Sequence, residues 1–139
     1  MSGRRAKAGW AAGPPLSGRA LVMFSGRTDL KRLAWLKPGF RHCFAAIECD
    51  RQWVLYNPLS HATEVALLGA IEPEALAAWY RDRECRVVPW VRRPAPPRPA
   101  PVGLYTCVEA VKRLLGIHAR LVLTPWNLYN FLKNTKYRK

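Results

Sequence analysis

The chain has 139 residues, half of them hydrophobic and six of them tryptophan, with 23 Lys and Arg against 9 Asp and Glu. That length and apolar content describe a single domain with a real core and exclude general disorder. No apolar run approaches the ~20 residues of a membrane span or the ~7–15 residues of a signal-peptide core, since Ala20–Phe24 is too short. The net charge of +14 is concentrated in acid-free blocks at 1–20, 86–98 and 133–139, which together carry +12. Basic blocks of this kind suit a polyanion, a lipid surface or a protein partner as well as plain solvation, and no nucleic-acid-binding signature accompanies them.

Taken in chain order, residues 1–18 are rich in Gly, Ala and Pro and read as a basic arm. A single domain is expected over 19–133, followed by a basic tail at 134–139. Ala20–Phe24 reads as a short strand. Thr28 caps a brief helical turn through Leu33, and Lys37-Pro38-Gly39 turns the chain. Phe40 to Pro58 reads as a hairpin, with Phe40–Ile47 and Gln52–Asn57 as strands on either side of Glu48-Cys49-Asp50-Arg51. A further strand is expected from Ala62 to Leu68. Glu72-Pro73-Glu74 then starts a helix that runs to about Arg83, and Arg86–Val91 forms another strand. Residues 92–101 are a stiff, proline-rich connector inside the domain. Leu104, Val108, Val111 and Leu115 recur at helical spacing, with Thr106 and Glu109 placed for a capping box and Gly116 as the stop. Leu121–Leu123 reads as a short strand, and Thr124-Pro125 opens a last helix with Leu128, Phe131 and Leu132 facing inward.

The four cysteines, Cys43, Cys49, Cys85 and Cys107, form no CxxC pair and no zinc-type spacing with His42, His61 or His118. No metal or other cofactor is therefore expected. Reduced thiols in a cytosol-like compartment, or in a phage particle, are the expectation. Cys107 stands apart because it lies in the first turn of a helix. There the positive end of the helix dipole and unpaired N–H groups favour the thiolate. A thiol nucleophile needs a base, and that base needs an orienting group. His42 is the best base, set in a strand among apolar neighbours. His61 lies in a loop after Pro58-Leu59-Ser60, and His118 follows the end of the Cys107 helix. Asn57 is the best orienter: a turn about Cys49–Asp50 places it directly opposite His42 on one face. A turn about Asp50–Arg51 would instead oppose His42 to Leu59. Cys43 points to the face opposite His42 and is expected to be buried and inert.

A strand with His (Gly39–Ile47), a strand ending in a polar residue (Trp53–Pro58) and a later helix headed by Cys (Tyr105–Glu109) stand in that order. The order resembles the circularly permuted papain-like cysteine hydrolases, relatives of the NlpC-type cell-wall peptidases and the lecithin retinol acyltransferase group. Leu123–Leu128 is similar to the segment that follows the Cys helix in such proteins. The resemblance spans about residues 20–132, and its specific part is these short motifs. It implies an α+β fold with a central antiparallel sheet packed against helices. It also implies a Cys107 thiolate, His42 as base and then acid, Asn57 holding the imidazole, and a thioester intermediate with the Cys107 N–H at the oxyanion. The implied substrate is a peptide or amide, in keeping with a small, basic, phage-type protein acting on cell-wall peptides. A non-catalytic adaptor that uses its basic segments is the alternative.

Overall fold

The computed structural model describes residues 18–27, 36–93 and 106–135. Five strands form one antiparallel sheet: β1 (Arg19–Ser25), β2 (His42–Cys49), β3 (Gln52–Pro58), β4 (Thr63–Gly69) and β5 (Arg86–Val91). Their spatial order is β4-β3-β2-β1-β5. Three helices complete an α+β fold: α1 (Pro73–Arg81), α2 (Cys107–Leu115) and α3 (Pro125–Thr135). No helix among the described residues is long and apolar enough to cross a membrane.

The sheet is covered on both faces, which explains the apolar runs in its central strands. In β1, Ala20 to Phe24 are all buried, and in β2 Cys43 to Glu48 are all buried. One face, with Val22, Phe24, Cys43, Ala45 and Ile47, packs against Val108, Val111 and Leu115 of α2 and Leu128 and Leu132 of α3. The other, with Leu21, Met23, Phe44, Trp53 and Leu55, packs against Leu76, Ala77 and Tyr80 of α1. Fully buried side chains such as Phe24 and Trp53 each contribute about 2–3 kcal/mol of transfer free energy. The Trp53 indole N–H donates to the Ile71 carbonyl at 2.8 Å, so its polar edge is satisfied as well. Where Glu48 is buried, its carboxylate is gripped by the Arg19 guanidinium from the neighbouring strand.

The β2–β3 hairpin turns at Asp50–Arg51, both in the left-handed region with φ of 50° and 65°. This is the two-residue turn whose twist matches that of the flanking strands. It pairs Ala45 with Tyr56 and Cys49 with Gln52. The register that opposes His42 directly to Asn57 is therefore corrected by two residues. Because the shift is two and not one, every side chain keeps its face.

Helix α2 starts as its sequence predicts, with one change. Extended Thr106 accepts the Glu109 N–H on its side-chain oxygen at 3.3 Å. The returning half of the capping box is replaced: the Glu109 carboxylate binds Lys112 at 3.0 Å and Arg113 at 3.2 Å. Gly116 closes the helix at φ 73°, with its N–H on the Arg113 carbonyl and the Ile117 N–H on the Lys112 carbonyl. That is a Schellman cap, and it needs the left-handed residue that Gly supplies cheaply.

Leu121–Leu123 is not a strand. Val122 is buried while Leu121 and Leu123 are exposed, and the Val122 carbonyl is taken by the buried Lys112 ammonium at 3.1 Å. The segment is thus anchored to a helix side chain and not to a sheet ladder. The brief turn at 28–33, the connector from residue 94 onward, the arm up to residue 17 and the tail from residue 136 lie outside the described residues. The domain itself reaches slightly past both expected limits: the Gly18 carbonyl accepts from the Arg92 N–H, and α3 continues to Thr135.

Candidate active site

The site collects at one end of the sheet. His42 opens β2, paired with Ser25 at the end of β1, and Asn57 is the penultimate residue of β3. His42 and Phe44 stack at 5.8 Å between ring centroids, which steadies the imidazole over its own strand. Its Nε2 lies 2.7 Å from the Asn57 Oδ1. In the observed register Asn57 faces Phe44, so this contact runs diagonally across the hairpin, within reach of two side chains of this length.

The opposite side of Asn57 is also engaged. Its Nδ2 donates to the Glu64 carboxylate at 3.1 Å, and Glu64 is its direct neighbour on β4. An amide oxygen only accepts, so the hydrogen on the 2.7 Å contact belongs to the His42 Nε2. In the neutral ring the accepting nitrogen is then Nδ1.

Cys107 is the first residue of α2, which packs over β2 and β3. Three groups lower the pKa of its sulfur: the Cys43 thiol, the His42 side chain and the Cys43 backbone N–H. Together they pull its pKa from an ordinary 9.0 down to about 4. The hydrogen bond from the Cys43 thiol is the largest cause. Burial opposes the shift, and the His42 hydrogen bond, the backbone N–H and the positive charge on His42 complete it. The Cys43 thiol moves the other way, well above its ordinary value, through burial first and then through its hydrogen bond to Cys107 and the negative charge there. Cys107 is therefore the ionised member of the pair and Cys43 the protonated one.

The three residues singled out from sequence, Cys107, His42 and Asn57, are thus brought into one hydrogen-bonded line. Cys43 is fully buried on the α2-facing side, as expected, but it is not inert, because it lowers the pKa of Cys107. The signal was its position: the residue after His42 must face α2, where Cys107 sits. Glu64 escaped notice because only the β3–β4 register reveals it. His61 and His118 are both exposed. Cys85 lies just before β5, and burial pushes its thiol up, the reverse of activation.

An open cavity of about 690 Å³ at the far end of the sheet is lined by Arg19, Trp53, Trp90, Arg93, His118 and Phe131 among others, and by none of the site residues. The chain matches no protein-family model, no curated protein and no solved structure. What the site does must therefore be argued from its own geometry.

Proposed function

We propose that this protein is a thiol-dependent acyl-transfer hydrolase, an amidase or peptidase of the permuted papain-like kind, acting through Cys107, His42 and Asn57. The observation that carries the reading is the unbroken line from the Asn57 amide oxygen through the His42 ring to a Cys107 sulfur whose pKa lies at about 4. A buried structural cysteine has no use for an ionised sulfur, whereas a nucleophile does.

In this reading the Cys107 thiolate adds to the substrate carbonyl carbon, forming a carbon–sulfur bond and moving an electron pair onto oxygen. The Cys107 N–H lies in the first helical turn, where no intrahelical carbonyl reaches it, and donates to that oxyanion. The His42 imidazolium gives its Nδ1 proton to the leaving amine as the carbon–nitrogen bond breaks, and a thioester remains. Neutral His42 then removes a proton from water, hydroxide displaces the sulfur, and the acid leaves with the thiolate restored. Asn57 keeps the ring in the Nε2–H form throughout. Proton transfer of this kind accelerates each half-reaction by ~10²–10⁴-fold.

The test is acylation of the full chain with an activated ester such as p-nitrophenyl acetate at about pH 6, where ordinary thiols are protonated. Mass spectrometry should find an acyl adduct on Cys107 that decays by hydrolysis, and His42→Ala should slow the decay. An adduct that forms on no particular cysteine, or that decays no faster than in the urea-unfolded chain with His42→Ala without effect, would overturn the proposal.

A further inference from the structure

We infer that Glu64 is a positioning residue for this site: it fixes which way the Asn57 amide points and thereby which nitrogen of His42 is the base. The inference rests on the acyl-transfer reading for its functional meaning, but its structural content stands on two contacts. Asn57 is held from both ends, by the His42 Nε2 at 2.7 Å and by the Glu64 Oε2 at 3.1 Å.

An amide side chain left to itself is nearly symmetric in shape, and its two orientations differ only in their hydrogen bonds. With the oxygen toward His42, the ring must carry its proton on Nε2 and offer Nδ1 as an acceptor. With the NH₂ toward His42, Nε2 must accept, and the proton moves to Nδ1. The neutral ring could then take no proton from water at that nitrogen, and the second half-reaction would stall. Asn57 alone does not choose between these states.

Glu64 chooses. An ionised carboxylate has no hydrogen to donate, so only the NH₂ end of Asn57 can face it. The register enforces the meeting: Asn57 and Glu64 are direct partners across the β3–β4 ladder, with side chains on the same face. Glu64 is exposed and lies on the edge strand, and its carboxylate accepts from Asn57. Its action passes entirely through Asn57. The result is a four-residue relay, Glu64–Asn57–His42–Cys107, in which each hydrogen-bond direction is dictated by the member before it.

The test separates this inference from the function beneath it. In Cys107→Ala, at alkaline pH where the imidazole is neutral, the two ring-nitrogen chemical shifts of His42 should be widely split, the signature of a single Nε2–H tautomer. In Cys107→Ala with Glu64→Ala, the two shifts should move toward each other as the Nδ1–H form appears. Glu64→Gln, which retains an accepting oxygen, should keep most of the splitting. With Cys107 present, Glu64→Ala should slow hydrolysis of the Cys107 acyl adduct by ~5–10-fold, the scale of one hydrogen bond at an exposed position, and Glu64→Gln should recover most of the rate. A tautomer unchanged in Glu64→Ala overturns the inference whatever the activity. A tautomer that shifts in a chain that never forms an acyl adduct upholds the positioning role and defeats the hydrolase reading instead.

Discussion

The low pKa of Cys107 is best tested by the shape of a pH profile, not by a single rate. Consider attack on a small disulfide probe, with Cys49→Ser and Cys85→Ser removing the other partly accessible thiols. At pH 6 an ordinary thiol of pKa ~8.5 is ~0.3 % ionised, whereas a thiol with a pKa of about 4 is almost fully ionised. The gain in thiolate is therefore ~300-fold. A weaker base is also a weaker nucleophile: with a Brønsted slope of ~0.45, the lower pKa removes ~100-fold. The net advantage at pH 6 is only ~3-fold, too small to identify an activated thiol. The pH dependence is unambiguous. The rate should be nearly flat from pH 8 to 5 and fall with a midpoint at about 4, while an ordinary thiol loses ~10-fold per unit over the same range. Cys43→Ala should move the midpoint up, because the Cys43 thiol is the largest single cause of the shift. Cys43→Ser retains a donor and should move it less. A profile that climbs ~10-fold per unit from pH 5 to 8, or a midpoint indifferent to Cys43→Ala, would refute the reasoning.

The same ionisation should register in stability. Between about pH 4 and the ordinary His range near 6.5, the unfolded chain binds one more proton at Cys107 than the native chain does, so native stability rises with pH and is lost as pH falls through about 4. Urea unfolding should show the wild type gaining on Cys107→Ser by about 1.4 kcal/mol per pH unit in that window, and parallel curves would contradict it. At the hairpin turn, Arg51 holds φ 65°, so Arg51→Gly should raise unfolding stability by ~0.5–1 kcal/mol, and a loss would argue against the turn described. Lys112→Ala strips the partner from the Val122 carbonyl and should cost about 2 kcal/mol in chemical denaturation, with a cost near zero counting against a structural tie at that point.

Sequence reading succeeded where a signal was local and chemical. The start of α2 at Thr106, its stop at Gly116, the Pro-initiated starts of α1 and α3, and the strand pattern of β1 and β5 all reside in a few adjacent residues. It failed where several partners compete for one group, near or far along the chain. Leu121–Leu123 has the composition of a strand, yet the sheet offers it no ladder, and the buried Lys112 claims its carbonyl instead. Glu109 was expected to reach back to its cap, but two cations one turn ahead compete better for its carboxylate. At the hairpin, Cys49-Asp50 and Asp50-Arg51 are equally turn-like in composition, and the fold takes the second, with Asp50 and Arg51 both at positive φ. His42 and Asn57 still met, because both registers leave them on one face and within a diagonal's reach.

The edge position of β4 has a further consequence, in how the site comes apart. One face of β4 leans on the α1-side core through Ala66 and Leu68, while Val65 and Leu67 on the other are 65 % and 68 % exposed. Cys43 lies in the core cluster between the sheet and α2, and Cys107 packs against it. Sub-global opening begins where little apolar surface is buried. The strand that carries Glu64 should therefore part before the helix that carries Cys107 on warming. Orientation of the imidazole melts before ionisation of the sulfur does. Amide exchange in residues 63–69 should accordingly track the loss of the single His42 tautomer, while the Cys107 thiolate persists to higher temperature.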